Sequence, residues 1–136
     1  MKKLSILVFF SFLAASVLAQ ATQTTPTADP NLAVFEWKAQ SHDFGKIKQN
    51  LPVTHEFTFV NKGKTPLIIT NVQASCGCTT PAWTKDPVPP GGSGFIKATY
   101  NAASMGSFNK TVTVTANVES GFVTLSIRGE VTDVIQ

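Results

Sequence analysis

Charge is scarce in this chain. Asp, Glu, Lys and Arg make up 14% of its 136 residues, against 43% hydrophobic residues. Such a balance excludes a disordered, solvating chain and suits one compact domain. The basic residues that do occur are scattered rather than clustered, so the footprint of a nucleic-acid-binding protein is missing. Cysteine is nearly absent: only Cys76 and Cys78 are present. Two cysteines two positions apart cannot staple one sheet to another as the distant pair of an antibody domain does, so burial must hold the fold. No stretch beyond the N-terminal leader repeats with a 3.6-residue period, which excludes a helical core. The longest apolar run falls short of about 18 uninterrupted residues, which argues against a spanning helix.

That run lies at the N-terminus. Lys2 and Lys3 precede an apolar segment from Leu4 to Leu18, interrupted only by Ser5, Ser11 and Ser16 and followed by the small residues Ala19 and Ala21. This is the pattern of a secretory signal peptide, with cleavage after Ala19 or Ala21 both meeting the small-residue rule. No cysteine follows it to accept a lipid, so a soluble exported product is expected, periplasmic or extracellular. Without Lys2 and Lys3, nine basic residues stand against eight acidic ones, a net charge of +1. The pI of 9.0 therefore describes the leader-bearing chain. Residues 1–19 read as the signal peptide, 20–31 as a flexible Thr-, Ala- and Pro-rich linker, and 32–136 as the domain.

Strand patterns fill the domain. Ala33, Phe35 and Trp37 alternate with Val34, Glu36 and Lys38, and a short Asp43–Ile47 segment follows, as in a split first strand. Val53, His55, Phe57 and Phe59 share one face of the next segment, with Phe57 and Phe59 as core candidates. Asn61-Lys62-Gly63-Lys64 supplies a turn in which Gly63 tolerates positive φ. Thr65 to Gln73 reads as a third strand. The prolines between Pro81 and Pro90 bar that passage from any central strand and send it across the domain edge. Three more alternating segments follow: Gly94–Tyr100, then Phe108–Ala116, then Val123–Val131. About seven short strands predict an all-β, immunoglobulin-like antiparallel β-sandwich.

Asp43-Phe44-Gly45-Lys46-Ile47, the run His55 to Asn61, Pro66-Leu67-Ile68-Ile69, Ser75-Cys76-Gly77-Cys78-Thr79, Pro90-Gly91, Gly106 and Asn117 together resemble the bacterial family known as domain of unknown function 1573. The resemblance covers nearly the whole domain. It implies an exported immunoglobulin-like module related to the sandwich repeats of ASPM, SPD-2 and Hydin proteins. It brings no catalytic residues with it.

The Cys-Gly-Cys stretch is the one constellation with evident chemistry. In a regular strand the two Cβ atoms would lie more than about 5 Å apart, beyond the roughly 3.5–4.5 Å a disulfide spans, so the backbone must bend, and Gly77 is the residue expected to permit it. Three readings compete: a local disulfide that rigidifies a turn, suited to an oxidising compartment; a thiol-disulfide exchange site; and a soft-metal site for Cu(I) or zinc, with His55 as a weak extra ligand. No helix N-terminus is expected beside the cysteines to stabilise a thiolate.

Other candidates have plainer readings. His55 shares a face with Phe57 and Phe59 and reads as a core or boundary histidine, and His42 as a solvated residue. Ser41-His42-Asp43 has triad residue types, but consecutive positions cannot form nucleophile, base and orienter. Asp43-Phe44-Gly45 reads as a β-turn element rather than a kinase signature. Asn109-Lys110-Thr111 fits a glycosylation pattern by chance. Trp37 alternates with Phe35 toward the core, whereas Trp83, five residues past Cys78, either packs over the cysteines or contacts a partner. The resulting expectation is a non-enzymatic module needing no cofactor or metal, whose partner is another envelope protein or surface component. A redox or copper-handling protein acting through Cys76 and Cys78 is the alternative.

Overall fold

The computed structural model describes residues 29–133, so the expected signal peptide and most of the linker lie outside the described residues. Eight strands follow in order: β1 (Phe35–Trp37), β2 (Ser41–Lys48), β3 (Val53–Asn61), β4 (Ile69–Ala74), β5 (Thr79–Trp83), β6 (Ser93–Tyr100), β7 (Gly106–Ala116) and β8 (Phe122–Thr132). They form two four-stranded sheets, β1-β3-β6-β5 and β2-β8-β7-β4. The alternating segments produce this because each strand turns one apolar face inward. Phe57 and Phe59 of β3 and Ile96 and Ala98 of β6 meet Val112 and Val114 of β7 and Leu125 and Ile127 of β8 in one core, all at most 1% exposed. Burying each of the larger side chains stabilises the fold by about 1.5–3 kcal/mol. The sandwich is the expected one.

Several details differ from the sequence expectation, for identifiable reasons. The split first strand is two strands in two sheets: β1 pairs antiparallel with β3, the chain crosses at Lys38–Gln40, and β2 pairs parallel with β8. A strand that changes sheets keeps its direction, so its second half meets β8 in parallel, and the total rises to eight. The third strand also starts later than Thr65. Leu67 exchanges backbone hydrogen bonds with Val88 of the Pro-rich passage, at 2.8 and 2.9 Å, and only from Ile69 onward does the chain pair with β7. Pro81 does enter a strand, but β5 is the outermost of its sheet, where a missing donor is tolerated.

Asp43-Phe44-Gly45 is a bulge inside β2 rather than a turn. Register with β8 shifts between Asp43 and Lys46, Gly45 adopts φ +66°, and its N–H donates to Asp43 Oδ1 at 2.8 Å. Gly129 opposite must be small, because a Cβ there would lie 2.9 Å from both the Gly45 carbonyl oxygen and the Phe108 ring. Gly63 serves by size too, not by positive φ: a Cβ would fall 2.7 Å from backbone atoms of Leu32, Ala33 and Val34.

Two asparagines fasten the end of the sandwich. Asn61 is fully buried; its Oδ1 accepts from the N–H groups of Val34 (3.3 Å) and Gly63 (2.9 Å), and its Nδ2 donates to the carbonyls of Thr65 (2.8 Å) and Val88 (2.9 Å). All four capacities of the amide are used. Asn117 does similar work beyond β7, accepting from Ile68 N–H at 2.7 Å and donating to the Pro66 carbonyl at 2.9 Å. These contacts tie the N-terminal segment, the Asn61–Lys64 turn and the Pro-rich passage to the two sheets.

Candidate functional site

β4 ends at Ala74 on the edge of one sheet, and β5 begins at Thr79 on the edge of the other. Ser75 to Cys78 is therefore the arch that carries the chain between sheets. Cys76 and Cys78 are joined by a disulfide within it, with Cα atoms 5.2 Å apart, inside the usual range for bridged cysteines. Both are half-buried. Gly77 between them is not left-handed, and a Cβ on it would meet open space, so the bend belongs to the arch as a whole rather than to a glycine-only conformation.

The arch is anchored on both sides. Ser75 N–H donates to the Thr111 carbonyl of β7 at 2.9 Å, and Thr111 N–H returns a bond to Ser75 Oγ at 3.1 Å. On the other flank Asn101 N–H donates to the Cys78 carbonyl at 2.9 Å, and Thr79 N–H closes the turn onto the Cys76 carbonyl at 3.3 Å. Buried Thr79 places its hydroxyl 3.9 Å from Cys76 Sγ and 4.0 Å from Cys78 Sγ. A hydroxyl there can donate weakly to sulfur.

The other candidate residues lie elsewhere. His55 is on β3, which β6 separates from β5, so it is not brought to the sulfurs. Among the described residues no group of three or more His, Cys, Asp or Glu is placed to hold a metal ion. Trp83 does not pack over the cysteines: it ends β5, four residues or roughly 13 Å along the strand from Thr79. Opposite Ile96 in register, it packs against the core, with Lys85 Nζ 3.0 Å from the centre of its ring. Trp37 sits in an aromatic cluster with Phe35 (4.7 Å) and Phe59 (5.1 Å), consistent with its core reading.

His42 departs from expectation most. It is a half-buried residue of β2, not a solvated one in a polar break, and its ring lies parallel to that of His55 with centroids 3.7 Å apart and planes 7° from coincidence. Phe44 and Phe57 pack edge-on beside the two rings. The His55 imidazole is held below its ordinary pKa, first by burial and then by His42, with Glu56 opposing. The Asp43 carboxyl is held below its ordinary value, chiefly by the Gly45 N–H and also by Arg128 at 3.0 Å.

These strands and their connections define an immunoglobulin-like β-sandwich. The chain belongs to the family described as Protein of unknown function (DUF1573), whose pattern matches residues 35–131. It is similar to a protein of unknown function from Porphyromonas gingivalis W83, with 17% identity and a TM-score of 0.66, over 74% of this chain and 48% of that one. It is also similar to PapD-like domain 7 of human CEP192, with 9% identity and a TM-score of 0.68, over 87% of this chain and 99% of that domain. A third likeness is to the secreted serine protease VesC from Vibrio cholerae, with 16% identity and a TM-score of 0.59, over 75% of this chain and 24% of that one. The chain thus spans about half of the Porphyromonas protein and a quarter of VesC, and at these identities the likeness is one of fold. No curated protein matches it.

Proposed function

We propose that this protein is an exported, non-enzymatic module of the bacterial envelope or extracellular space that contacts another envelope protein or surface component, with the Cys76–Cys78 disulfide as a clasp on its sheet-crossing arch. The observation that supports this best is how the family's polar motif residues are used. Asn61 and Asn117 satisfy backbone groups, Asp43 closes a bulge, and the disulfide sits where the chain changes sheets. Each is engaged in holding the sandwich. A module built this way presents surface rather than chemistry to its partners.

A thiol-disulfide or Cu(I)-handling role is the second reading, favoured by the half-exposure of both cysteines and by the Thr79 hydroxyl facing both sulfurs. Intact-mass analysis of the exported protein after alkylation, with and without a mild thiol, separates the two readings. The clasp resists both treatments and binds no copper. Ready reduction or tight Cu(I) uptake would establish the second reading instead.

A further inference from the structure

The chain contains two histidines, and the fold brings them face to face. His42 comes from β2 of one sheet and His55 from β3 of the other, so the stack bridges the seam beside the Lys38–Gln40 crossing. β1 covers only the far end of β3, pairing with Phe59–Asn61. Beyond it lies a notch of about 320 Å³ lined by Lys38, Ala39, His55, Glu56, Phe57 and Thr58.

We propose that the His42–His55 stack is an acid-released clasp: as neutral rings it closes the seam between β2 and β3, and when both rings are protonated it drives β2 away from the opposing sheet. Two imidazolium rings 3.7 Å apart repel, and Phe44 and Phe57 beside them offer no compensating charge. No carboxylate among the described residues bonds either ring. Asp43, next to His42 on β2, and Glu56, next to His55 on β3, each attract the neighbouring ring's positive charge, but Asp43 is shared with Arg128 of β8 at 3.0 Å and Glu56 with Lys97 of β6 at 3.4 Å. From the crossing, Lys38 adds a further positive charge at the notch, and Lys46 follows on the exposed side of β2. The residues registered directly against the two histidines, Ile127 and Ala98, do not titrate. The sign is fixed. His55 releases its proton more readily when folded than when unfolded, so its contribution is complete above about pH 6.5 and is lost as pH falls from there through the folded midpoint.

The test is amide hydrogen exchange on the intact protein, corrected for intrinsic rates, at about pH 7.5 and about pH 5, a range in which histidine is the side chain that changes charge. Protection across Ser41–Lys48 of β2 is expected to drop by about tenfold or more at the lower pH while β7 keeps its protection, and in His55→Phe the β2 drop disappears. Should His55→Phe not fold, the ring resonances of the wild type carry the test: His55 titrates below its ordinary midpoint and moves back toward it in His42→Gln. Unchanged β2 protection, or a His55 midpoint indifferent to His42→Gln, overturns the proposal.

Discussion

Removing the Asn61 side chain tests how the sandwich is fastened. In Asn61→Ala four hydrogen bonds are lost from a side chain with no exposed surface. Each such bond contributes about 0.5–1.5 kcal/mol net, and more where its partner is left unsatisfied. The Val88 carbonyl still accepts from Leu67 N–H, and Val34, which is partly exposed, finds water. The Gly63 N–H and the Thr65 carbonyl lose their bonds to the Asn61 amide. The expected loss is about 2–4 kcal/mol, a large part of the 5–15 kcal/mol typical of a domain. Asn61→Asp sharpens the case, because it keeps shape and acceptor but turns a carboxylate toward two carbonyl oxygens. At neutral pH it should be at least as damaging as alanine. Its carboxyl is raised above the unfolded value, so stability returns as pH falls through the folded midpoint toward about pH 4. Urea unfolding measures both. A loss below about 1 kcal/mol for Asn61→Ala, or an Asp variant more stable than the Ala variant at pH 7, would refute the reasoning.

Replacing both cysteines, Cys76→Ser with Cys78→Ser, should leave a folded protein weakened by only about 1.6 kcal/mol, the chain-entropy value for so small a loop, as read from the urea midpoint. Gly94→Ala should cost about 1–3 kcal/mol, because the new Cβ would overlap the ring of Phe59, itself 1% exposed and unable to yield. Gly77→Ala, with open space around it, should stay within about 0.5 kcal/mol of wild type despite its place between the cysteines. Thermal unfolding of the two glycine variants side by side checks both expectations.

Much of the sandwich is legible in the alternation of apolar residues, because a strand with one buried face must repeat every two residues and β3, β6, β7 and β8 do so cleanly. What alternation cannot convey is which sheet a strand joins. The Lys38–Gln40 crossing has no special composition, so the parallel pairing of β2 with β8 appears only when the two sheets are in place. The bulge hides the phase of β2 as well: His42 and Phe44 face inward in step with each other, but two residues opposite one shift Ile47 out of simple alternation. A strand taken to begin at Asp43 therefore leaves His42 in solvent and misses its stack with His55. Gly63 and Gly77 show a related limit, since sequence marks a glycine without telling whether φ, space or neither requires it. The cysteines were visible at once, but their position on the arch between sheets was not.

The reduction potential of Cys76–Cys78, measured by equilibrating the purified protein in graded thiol buffers and trapping free thiols for mass analysis, tests the clasp most directly. A structural clasp predicts a potential below about −300 mV, with both sulfurs remaining joined in buffers that mimic a glutathione pool. Half-reduction within the roughly −120 to −270 mV span of dedicated thiol-disulfide proteins would contradict it and make the arch a redox site.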